Sequence, residues 1–163
     1  GSLRLRPRGG GSGAEVVITL PRSLLGAQPP LAAPAENLPQ MRILVVDDDA
    51  VNRQAMVMLL EREGHQVVAV ENGVEAMQQL DDHDKLFDAI VTDLQMPRLG
   101  GRAMYEQLVN GRPLVAKRFV FVTGDQARGE TRSFLENCGQ PSVTKPYDLG
   151  DLINAIGTVA RKK

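Results

Sequence analysis

The sequence predicts an α/β fold: a doubly wound parallel sheet of five strands with five helices, preceded by a β-hairpin and a linker. Three observations carry the prediction. From Met41 onward, short apolar runs alternate with segments whose apolar residues recur at helical spacing. The strand runs are continuously apolar, as strands covered on both faces must be. The strict strand–helix alternation is the pattern of a parallel sheet wound with helices on both sides.

Taken in order, residues 1–20 read as the hairpin. Leu3 and Leu5 alternate with Arg4, Arg6 and Arg8, Gly9-Gly10-Gly11-Ser12-Gly13 follows, and then Val16-Val17-Ile18-Thr19-Leu20. Period-two runs around a glycine cluster form a hairpin pattern. Residues 21–40 hold Pro21, Pro29, Pro30, Pro34 and Pro39 with few charges, which predicts an extended linker. Residues 41–163 form the sheet domain. Ile43-Leu44-Val45-Val46 is its first strand. The helix after it carries Val51, Ala55, Met58 and Leu59 on one face, taken as the inward one, and Gly64 stops it. Val67-Val68-Ala69-Val70 is the second strand, and Asn72-Gly73 opens a helix with Ala76, Met77 and Leu80 inward. Ala89-Ile90-Val91 is the third strand, followed by a helix near Gly101 to Val109 with Met104, Tyr105 and Leu108. Phe119-Val120-Phe121-Val122 is the fourth strand. Ala127, Thr131, Phe134, Leu135 and Cys138 line the next helix, which Gly139 closes. Val143-Thr144 is a brief fifth strand. Asp148 caps a last helix with Leu149, Leu152, Ile153, Ile156 and Val159 inward.

Composition narrows the function. The net charge is -1, which argues against nucleic acid or an anionic membrane as the main partner. The charge is unevenly placed: residues 1–40 are net +2 and residues 41–163 net -3. One cysteine, Cys138, excludes an internal disulfide and suits a reducing cytoplasm. The longest apolar run, Ala55 to Leu60, is far short of the about 20 residues a membrane span needs.

A doubly wound sheet places its site at the carboxyl ends of strands, near a topological switch point. The residues there are distinctive. Asp47, Asp48 and Asp49 follow the first strand, Asp93 the third, Thr123 the fourth, and Lys145-Pro146 the fifth. Two unit charges about 4 Å apart repel by roughly 4 kcal/mol at an effective dielectric of 20. One lysine cannot neutralise this many carboxylates. A hard divalent cation can, and Mg²⁺ typically takes one or two carboxylates with waters and phosphate oxygens. A carboxylate is also a competent nucleophile toward phosphorus. A threonine hydroxyl and a lysine cation suit phosphoryl oxygens.

Ile43-Leu44-Val45-Val46-Asp47-Asp48-Asp49, Glu71-Asn72-Gly73-Val74-Glu75-Ala76, Asp93-Leu94-Gln95-Met96-Pro97, Thr123-Gly124 and Lys145-Pro146 resemble, in order, the motifs of the receiver domain of two-component response regulators. The resemblance covers residues 41 to about 160 and implies the flavodoxin-like receiver fold. It implies that Asp93 is phosphorylated and that Asp48, Asp93 and the Gln95 carbonyl bind Mg²⁺, with Asp47 acting through a metal-bound water. It implies that Thr123 hydrogen-bonds the phosphoryl group and Lys145 ion-pairs with it. Implied partners are the phosphohistidine of a histidine kinase dimerisation domain or of a histidine phosphotransfer protein. Asp49, the extra acid, is expected to face solvent or cap the first helix. Residues 1–20 resemble the closing strands of a histidine-kinase ATP-binding domain, which implies a hybrid histidine kinase as parent. The nucleotide-binding boxes of that domain are absent from this chain.

Gly9 to Gly13 lacks the Gly-Lys-Ser/Thr ending of a phosphate loop. His65 and His83 sit in polar stretches and read as solvated; Cys138 and the methionines read as core; Arg161-Lys162-Lys163 reads as a solvated helix end. An Asp47-Asp48-Asp49-Ala50-Val51 start also fits a haloacid-dehalogenase-type phosphatase with Asp47 as nucleophile and Asp49 as acid. A third possibility is a docking module that is never phosphorylated. Two departures from the receiver pattern stand out. Ser142 occupies the position, three before Lys145, that is usually aromatic, and Leu99-Gly100-Gly101 lacks a common acid. The first predicts a weakened switch, with partner recognition resting on the site's rim and on Asn52, Arg53 and Met56.

Overall fold

β-Branched and aromatic residues stiffen the short runs that form strands in the computed structural model. It describes residues 2–7, 14–19, 39–83, 87–124 and 129–161. The chain divides into two compact units, Gly1–Pro34 and Ala35–Lys163. In the first, β1 (Ser2–Pro7) pairs antiparallel with β2 (Ala14–Thr19), Leu3 opposite Ile18 and Leu5 opposite Val16. The glycine-rich turn and almost all of the 21–40 linker lie outside the described residues.

The second unit is the sheet domain. Its strands are β3 (Arg42–Val46), β4 (Gln66–Val70), β5 (Ala89–Asp93), β6 (Phe119–Thr123) and β7 (Ser142–Thr144). All pair parallel, in the order β4-β3-β5-β6-β7. The helices are α1 (Ala50–Arg62), α2 (Gly73–His83), α3 (Gly101–Gly111), α4 (Pro113–Ala116), α5 (Gly129–Cys138) and α6 (Leu149–Ala160). Five were expected. The addition, α4, is a single turn that Pro113 opens at its first position, where its missing N–H costs nothing.

Strand side chains alternate between two cores. Ile43 and Val45 face α1 and α6, in a core with Met56, Leu60, Leu152 and Ile156. Leu44 and Val46 face the other way, in a core with Ala76, Leu80, Met104, Leu108, Phe119 and Phe121. Both cores are apolar, and together they cover both faces of the central strands β3, β5 and β6, as the continuously apolar runs require.

Two assignments made from the sequence are corrected. The inward face of α1 is Met56 and Leu60; Val51 is 78% exposed and Met58 62% exposed. Met56 therefore cannot form part of an exposed recognition rim. His65 is buried rather than solvated, and its Nδ1 accepts a 3.4 Å hydrogen bond from the Met41 N–H. The side chain of His83, Ala127 and Lys162–Lys163 lie outside the described residues. The predicted stops hold: Gly64 and Gly139 end α1 and α5 with φ of 88° and 64°. The Asp148 carboxylate caps α6, accepting from the Asp151 N–H at 2.8 Å.

Candidate phosphoacceptor site

The chain reverses direction across the sheet between β3 and β5. After β3 it runs out to β4, and after β4 it crosses to β5 on the other side. The loops leaving β3 and β5 thus part and open a crevice at the strands' carboxyl ends. Asp47 follows β3 directly, and Asp93 and Thr123 are the last residues of β5 and β6. Lys145 follows β7 directly. Four strand ends bring together residues that lie up to 98 positions apart in sequence.

Lys145 is the centre of the geometry. Its Nζ donates to Asp93 Oδ2 at 2.7 Å and to Asp47 Oδ2 at 2.9 Å. Burial draws the ammonium's pKa down, but the hydrogen bonds to Asp93 and Asp47 outweigh it and hold the group above its ordinary value. Lys145 is therefore charged at neutral pH. Asp47 is fully buried, and both its oxygens are engaged, Oδ1 by the Asp49 N–H at 2.9 Å and Oδ2 by Lys145. The Asp93 side chain is 15% exposed, and its Oδ1 accepts from the Gln95 N–H at 2.9 Å. Asp48 is exposed. Carboxylate oxygens of Asp47, Asp48 and Asp93 all lie within 4.8 Å of one another, an arrangement that could hold a metal ion.

Asp49 does not join this group. It is the N-cap of α1, and its Oδ1 accepts from the Val51 N–H at 2.8 Å and the Asn52 N–H at 3.0 Å. Those two bonds pull its pKa below the ordinary carboxylate value. This geometry speaks against the phosphatase reading. Asp47 is sealed from an incoming substrate, and the acid that reading assigns to Asp49 is spent on a helix end. Of the sequence-selected residues, Asp47, Asp48, Asp93 and Lys145 converge. Thr123 stands buried at the end of the adjoining strand, where Lys145 N–H bonds to its carbonyl at 2.8 Å. Gln95 is exposed in the loop after Asp93.

Three supporting features escaped the sequence reading. Gly101 packs so closely that a Cβ would overlap the Asp93 carbonyl and the Thr92 side chain, so only glycine lets α3 start beneath Asp93. Arg53 turns back from α1 and donates to the Asp47 carbonyl at 2.7 Å. Tyr147, two residues past Lys145, is half-buried, and burial holds its phenol above the ordinary value, so it stays protonated. Among these, only Gly101 leaves a sequence trace, as an unexplained glycine pair before a helix.

Comparisons with known proteins agree with this geometry. The model of the response regulator receiver domain family matches residues 43–157. The sensory/regulatory protein RpfC of Xanthomonas campestris pv. campestris is 31% identical over 122 residues, covering 74% of this chain and 16% of that protein. The sensor protein GacS of Pseudomonas syringae is 34% identical over 134 residues, covering 78% and 14%. The chain thus spans about a sixth of the length of these curated relatives. A receiver domain protein from Methanospirillum hungatei is similar in structure, with a TM-score of 0.65 and 26% identity over 76% of this chain and 96% of that one. The receiver domain of sensor histidine kinase PA1611 from Pseudomonas aeruginosa, solved with a magnesium ion in its active-site cleft, has a TM-score of 0.66 at 21% identity, over 76% and 99%. An acidic crevice at the switch point, a lysine reaching into it from the last strand, and a family match over most of the sheet domain lead to one conclusion: this chain belongs to the receiver domain family of two-component response regulators.

Proposed function

We propose that the chain takes a phosphoryl group from a phosphohistidine onto Asp93, with Mg²⁺ held at the acidic cluster. The observation that carries this reading is the Lys145 ammonium bridging Asp93 and Asp47. It holds a permanent cation beside the most reachable carboxylate that is already aligned by a second hydrogen bond, from the Gln95 N–H.

The donor set suits a hard cation. Asp47, Asp48 and Asp93 offer carboxylate oxygens only, with no sulfur or imidazole among the three, and the Gln95 carbonyl would complete the protein's share. A bound Mg²⁺ would offset the charge of the phosphoryl oxygens and of the carboxylates. One Asp93 oxygen attacks phosphorus, the P–N bond breaks, and its electron pair stays on the imidazole nitrogen. Lys145 and the Thr123 hydroxyl hold the phosphoryl oxygens, while Asp47 keeps Lys145 in place. The same groups support later hydrolysis by water. The donor would be a histidine kinase dimerisation domain or a histidine phosphotransfer protein.

Sensor-protein relatives about six times longer than the matched stretch support a hybrid histidine kinase as parent. In that parent residues 1–20 would close an ATP-binding domain and residues 21–40 would link it to the receiver, all in the cytoplasm. No helix among the described residues is long and apolar enough to cross a membrane.

The test is phosphorylation by a small phosphodonor with Mg²⁺, followed by mapping of the modified residue. Asp93→Asn, isosteric but unable to attack phosphorus, is expected to lose labelling while keeping its circular dichroism spectrum. Undiminished labelling of that variant would refute the assignment. Absence of any labelling in the wild type would favour a docking module instead.

A further inference from the structure

Three consecutive aspartates lie at the head of α1, and their mutual repulsion tends to splay the segment that carries them. Two of the three carboxylates are already committed. Asp47 binds Lys145 and the Asp49 N–H, and Asp49 caps the helix. The Asp48 carboxylate makes no hydrogen bond among the described residues, so its direction depends on the backbone beneath it.

That backbone is held by Arg53. The Arg53 Nη1 donates to the Asp47 carbonyl at 2.7 Å and approaches the Asp48 carbonyl at 3.5 Å. The Arg53 backbone N–H donates to the Asp49 carbonyl at 2.9 Å. The Arg53 side chain thus addresses the carbonyls of Asp47 and Asp48, while the bond to the Asp49 carbonyl is the ordinary first turn of α1, which any non-proline residue at this position makes. A cation in the first turn of a helix is unfavourably placed against the helix dipole, so the dipole does not account for it. Nor does an ion pair: Arg53 forms no salt bridge among the described residues. The guanidinium Nη1 addresses carbonyl oxygens and no carboxylate, whereas Lys145 occupies carboxylate oxygens of Asp47 and Asp93.

We infer that Arg53 is a positioning residue, a clamp that holds the Asp47–Asp48 backbone so that the Asp48 and Asp47 carboxylates face Asp93. It adds positive charge behind the cluster without competing for a single metal-binding oxygen. This rests on the reading of the cluster as a Mg²⁺ site. Arg53 acts through the ligands and touches neither metal nor phosphoryl group. Both contacts come from the single Nη1, so a lysine ammonium in its place would keep the charge and part of the reach but not the fixed planar geometry.

Isothermal titration calorimetry with Mg²⁺ tests the clamp on wild type, Arg53→Ala, Arg53→Lys and Asp48→Ala, with melting curves of each in chelator. Removing a residue that orients metal ligands commonly weakens metal affinity by about tenfold to a hundredfold. Arg53→Ala is expected to show that loss while remaining folded in chelator, and Arg53→Lys to recover part of it. Wild-type affinity in Arg53→Ala would overturn the clamp. Should Arg53→Ala be unfolded at the titration temperature, Arg53→Lys decides, and a wild-type affinity there overturns the clamp equally. A wild type that binds no Mg²⁺ would overturn the site reading and the clamp with it. A wild type that binds beside an Asp48→Ala that does not would uphold the site and leave the Arg53 variants to judge the clamp alone.

Discussion

His65 shows how one residue's role depends on what folds over it. It sits between Gly64 and Gln66, in a polar stretch, yet the turn after α1 presses it under the start of β3, where its Nδ1 accepts from the Met41 N–H. An accepting Nδ1 means a neutral ring protonated on Nε2. Burial pulls its pKa below 6.5, against a smaller pull upward from Glu63. The sign follows: a depressed folded pKa means that the unfolded chain takes up the proton first. The stabilising contribution is complete above pH 6.5 and is lost as pH falls through the folded value. The wild-type melting temperature is expected to fall more steeply from pH 7 to pH 5 than that of His65→Gln, which cannot titrate there. Parallel profiles would show that the histidine titrates alike in the folded and unfolded chain. Gly101 teaches the complementary lesson, since its necessity lies in the Asp93 carbonyl and Thr92 side chain above it, not in its neighbours along the chain.

Helix α1 is apolar all round between Ala55 and Leu60, so periodicity gives no phase. The phase comes from Asp49, whose cap fixes where the helix starts, and from Ile43 and Val45, which receive Met56 and Leu60. Urea denaturation should separate the faces. Met56→Ala is expected to cost about 2–5 kcal/mol, and Met58→Ala less than about 0.5 kcal/mol. Equal losses would mean that the exposed face is covered in solution. Helix α5 has no fully buried residue. Phe134 anchors it, packing edge-on against Phe121 at 5.4 Å and Tyr105 at 5.9 Å, with the Arg102 guanidinium 5.1 Å above its ring. Beside it Ser142 lines a shallow groove of about 440 Å³ with Arg132, Leu135 and Glu136. A serine buries little apolar area, so its displacement biases a conformational equilibrium only weakly. Phosphorylation is therefore expected to shift amide resonances around Asp93 more than those of α5, β7 and α6. Comparison of spectra with and without a stable phosphoryl mimic measures this. Equal shifts centred on Phe134 would show that the aromatic cluster does the work of the missing ring.

At the scale of the whole domain, the acidic crevice stores repulsion that the packed cores must hold. Mg²⁺ binding only to the folded state adds about 2.7 kcal/mol at a hundredfold excess over Kd. Melting temperature should rise with Mg²⁺ in the wild type and not in Asp48→Ala; identical behaviour of the two would remove Asp48 from the site. How much of this was legible beforehand follows from the distance over which each feature is decided. Strand runs, stops at Gly64 and Gly139, and the Asp148 cap are local, governed by backbone freedom and by hydrogen bonds a few residues long, and they read directly from the chain. The acidic residues were legible too, because a parallel sheet must place its strand ends along one edge, so Asp47, Asp93, Thr123 and Lys145 had to be neighbours. Which face of α1 is buried, that His65 is enclosed, that Gly101 cannot carry a side chain and that Arg53 turns back on two carbonyls depend on contacts between residues that periodicity does not report. The sequence alone determined the doubly wound sheet and which strand ends carry the acids and the lysine that converge, through local pattern and strand order. Only the tertiary structure decided how α1 is turned against the sheet, because its Ala55–Leu60 stretch is apolar all round and its rotation is set by the surface it meets, whereas the periodicity of α2, α3 and α6 already marked their buried faces.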